Sequence, residues 1–230
     1  MTRRSIDPSP GNRETDRARR TVLCLCAVLA LLTAAVLAAA ALRRFPSPAE
    51  AEANLPDYVT KDLLDLNPWS RPGDPLRRVR GVVLHYVGNP GTSAQANRDY
   101  FNSLADGELG TYASSHFIVG LEGEVLQCVP LTEIAYASNR RNGDTVSIEV
   151  CHPDEYGKYS DITYQQTVEF TAWLCRQFRL DPARDVLRHY DVSGKRCPLY
   201  YVDHPEAWAA LLEDVAAELE VQENEAGGKS

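Results

Sequence analysis

The residues best suited to chemistry lie in one short stretch, RHYDVSGKRCP, residues 188–198. It places His189 and Cys197 eight positions apart, with Lys195 between them. Imidazole and thiolate are both good zinc ligands, and a chain that turns at Gly194 can bring the two to one ion. The spacing differs from that of zinc fingers and there is no CxxC pair, which argues against a four-cysteine structural site. A third ligand must therefore come from elsewhere in the chain.

His85 is the candidate for that third ligand, because it ends VVLHY, an otherwise apolar run that is typical of a buried strand. A buried imidazole needs a polar partner, since an unpaired polar group in a core is costly. Taken alone, such a histidine is more often a satisfied core residue than a ligand. The pair at 189 and 197 favours the ligand interpretation. Three protein ligands with a fourth position open are the pattern of a catalytic zinc site.

The segments that must position these side chains alternate irregularly between strand-like and helix-like patterns. Strands are expected at 80–86, 114–119, 124–129 and 146–151, the middle two joined as a hairpin. In the last strand, Ser147, Glu149 and Cys151 face one way and the valines and isoleucine face the other. Helices are expected after Ser93, after Thr163 with Gln166 as a capping box, and from Pro205. The pattern predicts an α/β fold, a central mixed β-sheet flanked by helices, preceded by one transmembrane helix.

Four stretches in order resemble a known family: VVLHYVGNPGT, SSHFIVGLEGEVLQCVP, TVSIEVCHPDE and RHYDVSGKRCP. They are similar to the zinc-dependent N-acetylmuramoyl-L-alanine amidases of the type-2 amidase and peptidoglycan recognition protein family, over roughly residues 78–215. The resemblance implies cleavage of the amide between N-acetylmuramic acid and L-alanine in peptidoglycan. It also implies Zn²⁺ as cofactor, and its ligand positions fall on His85, His189 and Cys197.

The same resemblance implies a mechanism. Zinc polarises the scissile carbonyl and lowers the pKa of a bound water toward neutral. In one branch of the family a glutamate on the strand equivalent to SIEV takes the proton of the water, and this position is Glu149. A lysine two residues before the third ligand stabilises the oxyanion, and this position is Lys195. The plainer alternatives are a surface strand residue for Glu149 and a solvated loop charge for Lys195.

Two departures from the family pattern concern the substrate groove. Some members have a tyrosine just before the histidine of the second matching stretch, where this chain has Ser115. Others have a Trp-His pair where this chain reads IAYAS. Whether Tyr112 or Tyr136 assists catalysis instead is left open, and His116 is interpreted as structural or groove-lining. The alternative functions are a non-catalytic peptidoglycan-binding or sensing module and a zinc peptidase acting within the stem peptide. Non-catalytic relatives typically lack the cysteine ligand, which is present here.

An apolar segment, residues 21–42, contains no charged residue, and about 20 such residues span a bilayer as a helix. Six arginines precede it and two follow closely. This excess predicts a cytoplasmic N-terminus and a signal anchor in the cell membrane, with the catalytic domain on the extracytoplasmic side. A cleaved signal peptide, which would make the protein secreted, is the alternative.

The expected organisation is a cytoplasmic basic tail over 1–20, the anchor over 21–42, a linker over 43–70, an amidase domain over 71–220 and a polar tail over 221–230. Within the linker, Asp57–Leu66 could form a short docked helix. Net charge is −8, which disfavours nucleic acid as a partner. The expected partners are peptidoglycan and the cytoplasmic membrane, and the protein is expected to be a monomer. Three cysteines are interpreted as buried free thiols, with a Cys128–Cys151 disulfide as the alternative: Cys128, Cys151 and Cys175.

Overall fold

The computed structural model describes residues 19–34 and 47–228, which belong to two compact units. The first unit contains helix α1, residues 19–34. It begins in the last two residues of the predicted basic tail and continues into the predicted anchor. Residues 35–42 of the anchor and residues 1–18 of the tail fall outside the described part of the chain. Among the described residues, no helix combines the length and the apolar character needed to cross a membrane.

The second unit is built on a six-stranded sheet. The strands are β1 Val59–Lys61, β2 Val82–Tyr86, β3 Phe117–Val119, β4 Val125–Gln127, β5 Val146–Val150 and β6 Val186–Arg188. They lie in the order β1-β4-β3-β5-β2-β6. Within this sheet only the β3–β4 pair is antiparallel, and the other neighbours run parallel. This confirms a central mixed sheet, in which the parallel β3, β5, β2 and β6 form the larger part.

Helices cover both faces of this sheet. The α-helices of this unit are α2 Pro48–Ala53, α3 Ala94–Ser103, α4 Asp161–Phe178, α5 Pro182–Asp185, α6 His189–Ser193, α7 Leu199–Asp203 and α8 Pro205–Gly227. One hydrophobic cluster joins Leu84 and Ile148 of the sheet to Phe170 of α4 and Leu211 of α8. A second cluster on the other face contains Phe101 of α3.

Strand β5 shows the predicted alternation. Its branched apolar residues at 146, 148 and 150 belong to the cluster that packs on α4 and α8, and Cys151 belongs to the opposite cluster. Because successive strand side chains point to opposite faces, Ser147 and Glu149 lie on the side of Cys151. The thiols of Cys128, Cys151 and Cys175 are buried and free, so the alternative disulfide is not formed.

Helix capping was predicted correctly for α3 and wrongly for α4. The Ser93 hydroxyl accepts from the Ala96 amide at 3.2 Å, as expected of the cap of α3. For α4 the cap is Ser160, whose extended backbone precedes the first helical residue and whose hydroxyl accepts from the Thr163 amide at 3.3 Å. Thr163 therefore lies inside the first turn, and its own hydroxyl donates to the carbonyls of Gly120 and Leu121.

The predicted linker, 43–70, is wrong from residue 47 onward, because this segment is part of the folded unit. Residues 59–61 pair with β4 as an edge strand, where a short helix was expected, and Leu64 is buried. The Glu52 carboxylate accepts from Gln127 Nε2 at 2.7 Å and from the Leu131 amide at 2.9 Å. A three-residue edge strand is too short to show an alternating pattern, which explains why the sequence did not reveal it.

The C-terminal boundary also differs from the prediction. Helix α8 continues to Gly227, through most of the expected polar tail, 221–230, whose last two residues lie outside the described part. Gln222 donates from Nε2 to the Glu169 carbonyl of α4 at 3.1 Å. This contact between helices stabilises a polar segment that carries little apolar surface of its own.

Candidate active site

Three elements bring the predicted metal ligands together. His85 lies near the carboxyl end of β2, and His189 follows β6 directly as the first residue of α6. After α6 the chain turns at Gly194 (φ 79°), and the Tyr190 amide donates to the Cys197 carbonyl at 2.9 Å, which closes the loop. Ligand sites in parallel sheets form at the carboxyl ends of the strands. The fold thus places all three side chains at one edge of the sheet.

The ligand atoms of His85, His189 and Cys197 all lie within 4.8 Å of one another, and all three residues are buried. His85 Nδ1 is 3.8 Å from Cys197 Sγ. The two imidazole centroids are 4.6 Å apart with an interplanar angle of 57°. His189 Nδ1 is buried and has no hydrogen-bond partner. A buried nitrogen of this kind is costly unless an ion fills the gap, and two imidazoles with one thiolate suit zinc.

The protonation states of these three side chains also suit a cation site. Burial, with smaller effects of His189 and Lys195, holds the pKa of His85 well below its usual value. Burial and then Lys195 lower the pKa of His189, so both rings are neutral near pH 7 and retain a lone pair. Burial, followed by Glu149, raises the pKa of the Cys197 thiol to about 12. Only a nearby cation would make that thiol a thiolate at neutral pH.

Glu149 is the register partner of His85 on the neighbouring strand β5. Its Oε1 is 3.8 Å from His85 Nδ1, and its side chain is 16% exposed. Its other oxygen, Oε2, is buried without a hydrogen-bond partner. Burial raises the pKa of this carboxyl to about 8, and Lys195 opposes the shift. Glu149 is therefore not the surface strand residue of the plainer interpretation.

A cleft of about 630 Å³ opens over this cluster. Lys195 is exposed and lines it, and among the described residues its ammonium makes no ion pair. Tyr112 and Tyr136 line the same cleft, with ring centroids 5.5 Å apart, and Trp69 packs on Tyr112 at 4.6 Å. Both tyrosines that the sequence left open thus contribute to the cleft wall.

Other polar residues singled out in the sequence lie away from the cluster. Ser115 is completely buried and donates to the Phe117 carbonyl, so it does not line the cleft. His116 is held between the Ser147 hydroxyl and the Glu133 carbonyl, each at 3.0 Å, which is a structural arrangement.

One polar loop, Ser138–Asn139, contacts both histidines and was not predicted from the sequence. Asn139 Oδ1 lies 2.8 Å from His189 Nε2, and Ser138 Oγ lies 3.4 Å from His85 Nε2. The stretch ASNRRNG has no apolar periodicity and reads as an ordinary turn. Only the fold brings it beside the ligands, which are 50 and 53 residues away in the chain.

Comparison with known proteins agrees with this geometry. The family model described as N-acetylmuramoyl-L-alanine amidase (Amidase_2) matches residues 75–199, a range that contains the whole cluster. The chain belongs to this amidase family. Its match includes the three ligand candidates, Glu149 and Lys195.

Relatives of this chain include two proteins named N-acetylmuramoyl-L-alanine amidase. BlyA of Bacillus subtilis (strain 168) is 30% identical over 180 residues, which cover 70% of this chain and 47% of BlyA. CwlL of Bacillus licheniformis is 32% identical over 156 residues, covering 63% of this chain and 42% of CwlL. The chain thus spans less than half the length of these curated relatives.

Solved structures share the fold of the second unit. The catalytic domain of XlyA matches with a TM-score of 0.56 at 22% identity, covering 68% of this chain and 98% of that one. The Staphylococcus aureus hydrolase AmiA, solved in complex with its ligand, matches with a TM-score of 0.55 at 16% identity, covering 76% and 89%. At these identities the likeness concerns the fold alone.

Proposed function

We propose that this protein is a zinc-dependent amidase that cleaves the bond between N-acetylmuramic acid and L-alanine in peptidoglycan. The observation that carries the proposal is the cluster of His85, His189 and Cys197 beside Glu149 in an open cleft. Membership of the amidase family supports the same reaction. The presence of Cys197 in the cluster argues against a module that only binds the wall.

His85, His189 and Cys197 would hold the zinc ion. When bound, zinc supplies a Lewis acid and lowers the pKa of a water molecule. Glu149 would take a proton from the attacking water, and its raised pKa would let the carboxyl hold that proton and deliver it to the leaving nitrogen. A dication in the cluster would oppose the effect of burial and favour the carboxylate before reaction.

Lys195 would stabilise the negative charge that develops on the carbonyl oxygen of the scissile amide. Its side chain lines the cleft and has no ion-pair partner among the described residues, so the ammonium is available to a substrate. A fixed cation at the developing oxyanion stabilises the transition state more than the ground state. Tyr112 and Tyr136 offer ring faces and hydroxyls to the glycan or stem peptide in the same cleft.

Product analysis tests this function. The full-length chain, purified in detergent, is incubated with purified peptidoglycan, and the released material is identified by mass spectrometry. Free stem peptides beginning with alanine are the expected products. Fragments cut within the stem peptide would replace the amidase with a peptidase, and binding to the wall without release would replace it with a sensing module.

A separate proposal concerns the location of the enzyme in the cell. We propose that residues 21–42 anchor it in the cytoplasmic membrane, with the catalytic unit as a monomer on the extracytoplasmic side. The uncharged composition and the preceding arginines support the anchor, as do the exposed apolar side chains of α1, from Val28 at 53% to Leu31 at 71%. Retention of the full chain in membranes after an alkaline carbonate wash is the expected result. Complete release into the wash would contradict it.

A further inference from the structure

We infer that Asn139 is a positioning residue, which fixes the tautomer of His189 so that Nδ1 faces the metal. The side chain of Asn139 would act through the imidazole and not on the substrate. This inference rests on the proposed metal site, but it needs no assumption about which bond the enzyme cleaves. Asn139 lies outside the stretch RHYDVSGKRCP and is not one of the three ligand candidates.

The contact at His189 determines where the ring carries its proton. Asn139 Oδ1 is 2.8 Å from His189 Nε2, and an amide oxygen can only accept a hydrogen bond. Nε2 must then carry the hydrogen of the neutral ring, which leaves a lone pair on Nδ1. That Nδ1 is the buried atom without a partner, and His189 belongs to the ligand cluster. The unpartnered Nδ1 and the contact at Nε2 therefore indicate the same tautomer of His189, with the hydrogen on Nε2.

His85 repeats this arrangement with the preceding residue of the loop. Its Nε2 is 3.4 Å from Ser138 Oγ, and its Nδ1 faces Cys197 Sγ at 3.8 Å. Ser138 is buried, and its hydroxyl can accept as well as donate. Two consecutive residues thus contact Nε2 of both rings, which leaves Nδ1 of each ring without a contact to this loop. We infer that one loop orients the two imidazoles together.

The backbone of this loop is fixed independently of the histidines. Asn142 Oδ1 accepts from the Ser138 amide at 2.6 Å and from the Ala137 amide at 3.2 Å. The Arg141 amide donates to the Ser138 carbonyl at 2.9 Å, which tightens the turn. Asn139 has φ 51°, a left-handed conformation that asparagine and glycine tolerate better than other residues. The position thus requires both this backbone conformation and a side-chain acceptor, and asparagine supplies both.

The expected consequence is on metal affinity. A neutral histidine with its hydrogen on Nδ1 cannot bind zinc through Nδ1 until that proton moves to the other nitrogen. Partners that hold the outer nitrogen of a ligand histidine typically change metal affinity by about 10- to 100-fold when removed. Removal of the Asn139 side chain should therefore weaken zinc binding without removing a ligand.

The first test reads the tautomer directly in the unmodified protein. Long-range ¹H–¹⁵N spectra of the metal-free, full-length chain in detergent micelles distinguish a protonated Nε2 from a protonated Nδ1. We expect His189, assigned by its loss in His189→Gln, to be the Nε2–H tautomer near pH 7.5. A predominant Nδ1–H form would overturn the inference. Neither result depends on whether the enzyme cleaves peptidoglycan, so failure of the proposed reaction remains distinguishable.

The second test uses variants that separate the backbone from the side chain. Asn139→Gly keeps the left-handed conformation accessible and removes the acceptor, and Asn139→Asp keeps the acceptor. In chelator competition we expect Asn139→Gly to weaken zinc binding about 10-fold or more, and Asn139→Asp to stay within about 3-fold of the parent. Asn54→Gly removes an exposed asparagine outside the cleft, which donates to the Glu50 carbonyl, and serves as the control.

Equal zinc affinity and an unchanged His189 spectrum in Asn139→Gly would overturn the inference. Weak binding by Asn139→Asp would overturn it as well, because the acceptor is then present without effect. Thermal melting of each variant shows whether it is folded. If Asn139→Gly does not fold, Asn139→Asp and the spectrum of the parent chain still decide the question.

Discussion

His85 and Glu149 face each other across two parallel strands, with Nδ1 and Oε1 3.8 Å apart. The register of β2 against β5 thus places a candidate metal ligand beside a candidate base. A slip of one residue in this pairing would turn one of the two side chains to the other face of the sheet. The proximity of the metal and the base therefore follows from strand pairing, while His189 and Cys197 depend on the loop after β6.

Replacement of Glu149 by glutamine should separate catalysis from metal binding. The amide has nearly the same shape as the carboxyl but cannot take a proton from water, so we expect kcat to fall by about 10²- to 10⁴-fold. The zinc ligands are unchanged, so zinc affinity should stay within a few-fold. Release of stem peptides and chelator competition measure the two quantities. A variant with full activity would remove Glu149 from the mechanism.

Zinc binding should release protons and become tighter as pH rises. Burial raises the pKa of Cys197 to about 12, so the metal-free thiol is protonated at pH 7, yet zinc binds the thiolate. We expect about one proton from this thiol for each zinc bound, and a further fraction from Glu149, whose pKa is raised to about 8. Calorimetry in buffers of different ionisation enthalpy measures the release. Binding without proton release would contradict a thiol ligand.

Lys195→Met should lower kcat while leaving zinc bound. The lysine is a candidate for stabilising the oxyanion, and removal of one such group typically costs about 10²- to 10³-fold in kcat. Lys158→Met is the matched control, because Lys158 lies over the Tyr200 ring, outside the cleft. We expect the control to keep its rate. Equal rates for both variants would make Lys195 the solvated loop charge of the plainer interpretation.

The folded state of the segment from residue 47 can be tested at Glu52. Glu52→Ala would leave the Leu131 amide and the Gln127 side chain without their acceptor, so we expect a loss of about 1–3 kcal/mol in the free energy of unfolding. Glu108→Ala, at an exposed position outside this contact, is the control. Urea unfolding of the zinc-free proteins measures both. Equal stability of the two variants would restore the linker interpretation of this segment.

The three ligand candidates were predictable from residue types and spacing. His189 and Cys197 share one short stretch, and His85 lies near the end of an apolar strand. The roles of Glu149 and Lys195 were expected only from the family resemblance. The Ser138–Asn139 contacts were not predictable, because they join a polar turn to residues 50 or more positions away.

Some elements of the fold were predicted from the sequence and others were not. The strands with long apolar runs and the mixed character of the sheet follow from alternation and branched residues. The edge strand β1 and the C-terminal turns of α8 did not follow, because both depend on tertiary contacts. Glu52 illustrates the reason, since a charged residue in a Pro- and Ala-rich stretch gives no sign that it will bind the Leu131 amide.

The most direct test of the central claim is zinc reconstitution of the metal-free, full-length chain. Zinc is removed with a chelator and returned in steps, while release of alanine-terminated stem peptides from purified peptidoglycan is followed by mass spectrometry. We predict no release without metal and a linear rise to a plateau at one zinc per chain, which is abolished in His85→Ala. Cleavage at the full rate by the metal-free chain, or none by the zinc-loaded chain, would contradict the account.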